Sequence, residues 1–121
     1  MITAADRWRD ALRAELLTAR KRRDAVRVSA LRCALAAVDN AETPDVAAVH
    51  IPTDGPVAGS VAGLGATEAA RRVLGEEEIR ALLRAEVEER HTAAAQAEAG
   101  GFPDRADALR AEAAVLTGLL G

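Results

Sequence analysis

The sequence predicts an all-α fold, an antiparallel bundle of about four helices with a long central loop. Three observations predict it. Apolar residues recur at alternating spacings of three and four in each patterned stretch, which places them on one face of a helix. Alanine and leucine dominate the apolar residues, and Trp8 and Phe102 are the only aromatic ones. β-Branched residues do not alternate with polar ones over any sustained run, so the period-two signature of a strand is missing.

The first helix is expected from about residue 4 to Arg22. Thr3 serves as its N-cap with Asp6 at the third helical position, and Trp8, Leu12, Leu16 and Ala19 form its apolar face. Arg20, Lys21, Arg22 and Arg23 follow as an uninterrupted basic run. Asp24 then offers its carboxylate to the free backbone N–H groups that begin a second helix, over about residues 24–41. Val28, Leu31, Leu35 and Val38 are its apolar stripe, and Ala34 and Ala37 let a neighbour approach closely. Cys33 reads as a small buried or half-buried side chain rather than a nucleophile, since sequence places no base beside it.

Between Thr43 and Ala66 the periodicity breaks down. Pro44, Pro52 and Pro56, with Gly55, Gly59, Gly63 and Gly65, interrupt every candidate element. The loop 43–66 is expected to be a mobile linker rather than an active lid, with Val46, Val49 and Ile51 as local anchors. Thr67 opens a short helical turn, TEAARRVL. Gly75 is the expected N-cap of the third long helix, with Glu76, Glu77 and Glu78 in its first turn and Leu74 placed to staple onto Ile79. Its apolar face is Ile79, Leu82, Leu83 and Val87, continued by Ala93, Ala94 and Ala97, and Gly100-Gly101 ends it. Pro103 suits the first turn of a last helix striped by Ala106, Leu109, Ala113, Leu116 and Leu120.

The chain of 121 residues is the size of a single domain, 1–121. Its net charge of −3 argues against a surface that is basic throughout, but the charge is uneven. Residues 1–32 carry nine Arg and Lys against four Asp and Glu, a balance of +5 that leaves −8 for the rest. Such asymmetry marks either an anion-binding region or oppositely charged helices packed together. One cysteine permits no intrachain disulfide, and no apolar run approaches the roughly 20 residues that span a bilayer. A cytoplasmic protein without a membrane partner is expected.

Most patterns that could carry chemistry fail on inspection. Glu88 and His91 have the i, i+3 spacing of di-iron bundles, but such a site needs a second pair and two further carboxylates. His50 has no partner at metal-ligand spacing, so no metal and no cofactor are expected. Ser29 lies mid-helix, where its hydroxyl is expected to bond back to the carbonyl one turn earlier. The glycines of GSVAGLG lack the Lys-Ser/Thr sequel of a phosphate-cradling loop. No catalytic residue emerges. The remaining candidates are the cations Arg20, Lys21, Arg22, Arg23, Arg27 and Arg32, which suit phosphate contacts or, alternatively, pairing with Glu86, Glu88, Glu89 or Glu112 on neighbouring helices. Without aromatic platforms beside them, stacking of single-stranded bases is not supported.

The order of basic run, Asp24, Arg27, Ser29, Leu31, Arg32, Asn40 and Glu42 resembles the opening of YqeY family proteins, small helical proteins related to the tail of the GatB subunit of tRNA-dependent amidotransferases. Leu74, Glu78, Arg90, Gly100, Leu109, Glu112, Leu116 and Leu120 hold the places that match the family's second segment. The resemblance implies a helical domain and a non-catalytic accessory or binding role linked to tRNA-dependent amidotransferase or translation, with tRNA or a translation protein as partner and no DNA. By family annotation alone it also implies a carbon-nitrogen ligase using glutamine as amido-N-donor, for which no catalytic residue was found. The chain departs from the pattern at Gly75, where Thr or Ser is usual, and at Glu88-Glu89, where a basic pair is usual. The family's C-terminal three-helix tail has no counterpart before Gly121. An alternative reading is a protein-interaction module or a homodimerising helical domain that makes no RNA contact.

Overall fold

The computed structural model describes residues 1–43 and 72–121. Among them are four helices and no strand: α1 (Ala4–Lys21), α2 (Ala25–Glu42), α3 (Glu76–Ala99) and α4 (Pro103–Leu120). The expected all-α bundle is what forms. The expected loop beyond Thr43, His50 and the first part of the helical turn expected from Thr67 lie outside the described residues; its expected end, residues 72–74, is not helical.

Helices α1 and α2 form one antiparallel hairpin, and α3 and α4 form a second, more closely packed one. Helix α2 joins them by lying against α4 and, to a lesser extent, α3, while α1 touches α3. The shared core contains Leu12, Leu16, Leu31, Val38, Leu74, Ile79, Leu83 and Leu116. Ala30 and Ala34, both fully buried on α2, allow the close approach of its neighbours. A second, smaller cluster of Ala94, Ala106 and Leu109 lies within the α3/α4 hairpin.

The helix starts follow from short-range chemistry. Thr3 and Asp6 form a capping box, with the Thr3 hydroxyl accepting from the Asp6 N–H at 3.1 Å and the Asp6 carboxylate accepting from the Thr3 N–H at 3.2 Å. Asp24 caps α2 by accepting from the Arg27 N–H at 3.1 Å. Gly75 has no side chain to offer, so only the returning half of the box is present at α3, where the Gly75 N–H donates to Glu78 at 3.2 Å. Leu74 and Ile79 are both buried in the core, as the hydrophobic staple requires.

Both hairpins turn by the same motif. In the first, the Arg23 and Asp24 N–H groups donate to the carbonyls of Arg20 and Ala19; in the second, Gly101 and Phe102 donate to Glu98 and Ala97. This is the Schellman arrangement, which needs a left-handed residue just past the helix. Gly101 fills that place at φ 88°, but in the first hairpin it is filled by Arg23 at φ 56°. A side chain in this region costs about 1 kcal/mol or more relative to glycine. Arg23→Gly is therefore expected to stabilise the fold by about 1 kcal/mol and Gly101→Ala to destabilise it by a similar amount, measured by chemical denaturation.

Candidate functional site

Two arginines on apolar stripes are held by carboxylates inside the hairpins. Arg9 stands between Ala5 and Leu12 in the buried register of α1, and Glu42 follows Val38 on α2. The Arg9 side chain is 12% exposed and its guanidinium pairs with Asp6 at 3.3 Å, Asp39 at 3.1 Å and Glu42. Burial opposes its charge, but the bonds to Asp39 and Glu42 outweigh that and raise its pKa above the ordinary guanidinium range. The group is charged at every pH a protein tolerates. A partly open cavity of about 320 Å³ adjoins it, lined by Thr3, Asp6, Glu42, Arg72 and Leu74 among others. Its acids already hydrogen-bond Arg9 or helix α1, so they are arranged for structure rather than for proton abstraction.

The second arginine is Arg90, spaced between Val87 and Ala94 on α3. Its side chain is 9% exposed and reaches Glu112 of α4 at 3.1 Å and Glu86 of its own helix at 2.9 Å. Burial again opposes the charge, and the hydrogen bonds to Glu86 and Glu112, with the nearby Glu86 charge, raise the pKa despite it. This buried group separates the apolar residues shared by all four helices from the Ala94, Ala106 and Leu109 cluster. Every buried side-chain N or O atom among the described residues has a partner.

Trp8 ties α1 to α3. Its indole N–H donates to Glu76 at 3.0 Å, and the Arg80 guanidinium lies 5.7 Å from the ring centroid while bonding Glu76 and the Leu120 carbonyl. Glu76 and Glu77 thus do more than face the helix start, since Glu77 also pairs with Arg84 at 3.5 Å.

The basic corner is differently placed. Arg20, Lys21, Arg22 and Arg23 are all exposed, at the C-terminus of α1 and the turn into α2. Their side chains make no hydrogen bond or ion pair among the described residues. The expected alternative, pairing with Glu86, Glu88, Glu89 or Glu112, is not seen among the described residues, where Glu86 and Glu112 pair with Arg90. Arg27 separates from the group by pairing with Glu15 across the first hairpin at 3.3 Å. Arg32 is exposed but stands roughly 12 Å further along α2 from Asp24. Four of the six candidate cations are therefore exposed and consecutive at one end of the first hairpin, and two stand apart from them. The corner cations also lie where the partial negative charge of the α1 C-terminus favours them.

Other candidates for chemistry are not assembled among the described residues. Glu88 and His91 are both exposed, and no group of three or more His, Cys, Asp or Glu side chains is placed to hold a metal ion. Cys33 is a free, half-buried thiol. Ser29 does not make the expected bond to the preceding turn, although Thr18 and Thr43 each bond a carbonyl four residues back. No described helix is long and apolar enough to cross a membrane. Comparison with known proteins adds no identity. No family model, curated protein or solved structure matches the chain.

Proposed function

We propose that this protein is a non-catalytic accessory or binding protein of the cytoplasm that contacts tRNA through the phosphates facing its Arg20–Arg23 corner, in association with tRNA-dependent amidotransferase or translation. The observation that supports an anion-binding role is the exposure of four consecutive cations that spend no charge on partners among the described residues. Arginine is suited to the task because its planar fork can hold two phosphate oxygens at once. The choice of tRNA rests on the resemblance to YqeY family proteins over the two blocks of helices, which also supports an accessory role.

The test is a titration of the protein with unmodified tRNA at about 50 mM and about 200 mM salt. Four phosphate contacts predict a log–log salt slope of about −3 to −4, and hence binding that is clear at the lower salt and weakened roughly 100-fold at the higher. Absence of binding at the lower salt would sink the proposal.

A further inference from the structure

Resting on that reading, we infer that the corner engages the paired backbone of an RNA duplex rather than a single strand, with Arg23 as one of the contacts. Three features on the surface lead there. The cations occupy the exposed last residues of α1 and the turn into α2 at one end of an antiparallel hairpin. Neither aromatic residue belongs to the corner: Trp8 is bonded to Glu76 and covered by Arg80, and Phe102 sits in the other hairpin turn. Single-strand binding relies on bases stacked on such rings, whereas a duplex presents phosphates and ribose hydroxyls at a regular spacing. Finally, Arg23 occupies a left-handed position for which the equivalent turn uses Gly101. An arginine that works against its backbone there places one more exposed guanidinium at the edge, and strain of this kind is characteristic of functional positions.

The experiment is fluorescence anisotropy at low salt with a blunt RNA duplex, each of its separated strands and a second duplex of unrelated sequence. The two duplexes are expected to bind alike and about tenfold or more tighter than either strand. The Arg23→Gly variant should bind the duplex about tenfold more weakly, with a salt slope shallower by about 1, while melting at a higher temperature than the parent. Strands that bind as tightly as the duplex, or a variant with unchanged affinity and slope, would overturn the inference while leaving RNA binding in place. If no RNA binds but vesicles containing phosphatidylserine do, the underlying reading fails as well.

Discussion

Truncation of Glu112 to alanine is expected to lower the unfolding free energy by about 3 kcal/mol, a large share of the total for a domain of this size. Glu112 and Arg90 are both buried, and the carboxylate satisfies one side of a guanidinium that has little access to water. Removing it leaves Arg90 with the Glu86 carboxylate and carbonyl alone. The penalty comes from an undercompensated buried charge more than from the lost bond itself. Replacing both members together, Arg90→Met with Glu112→Leu, removes the two buried charges and fills the same space, leaving the Glu86 carboxylate, which is 23% exposed and can turn to water. That double variant is expected to lie within about 1 kcal/mol of the parent, or above it. Urea denaturation of the three proteins distinguishes the cases, and a single variant that loses less than about 1 kcal/mol would show that the pair is not coupled through burial.

Much of the bundle could be read from spacing because its core is mostly aliphatic and periodic. Leu12, Leu16 and Ala19, then Leu31 and Val38, then Ile79, Leu83 and Val87, and finally Leu109, Ala113 and Leu116 are buried where their stripes place them. Asp24 and the Gly100-Gly101 pair likewise bound helices where their backbone chemistry says they should. The arrangement of the helices was less legible. A stripe says which face is covered but not what covers it, so the central position of α2 against both α3 and α4 comes from the structure alone.

Polar burial was the other gap, although the signal was present. Arg9, Glu42, Arg90 and Glu112 each fall in the register of an apolar stripe, and a charged residue there predicts a partner from the facing helix. Arg9 is assigned no role by spacing, and Glu112 is expected only as an alternative partner of the corner cations, so the two internal ion-pair groups emerge from the structure alone. The corner was legible in part: consecutive cations next to an N-cap Asp marked a turn, but spacing could not tell that Arg27 is engaged by Glu15 or that Arg23 takes a left-handed backbone. Local sequence cannot supply the partner across a hairpin, nor explain why glycine is absent from a place that favours it.

The fold is held by buried aliphatic residues and two internal arginine groups, while the Arg20–Arg23 corner is exposed and is proposed to hold an external anion. Neutralising the corner as Arg20→Gln, Arg22→Gln and Arg23→Gln should therefore separate stability from binding. Each lost charge removes a small favourable interaction with the α1 C-terminus, of about 0.3–1 kcal/mol, and also relieves repulsion among neighbours. Three charge-assisted phosphate contacts at about 1.5 kcal/mol or more each predict a loss of tRNA affinity of roughly 1,000-fold or more. The decisive measurement is tRNA affinity at low salt for the parent and this variant, with urea unfolding of each recorded on the same preparations. The account predicts binding lost and the unfolding free energy kept within about 1 kcal/mol; undiminished affinity in a stably folded variant would contradict it.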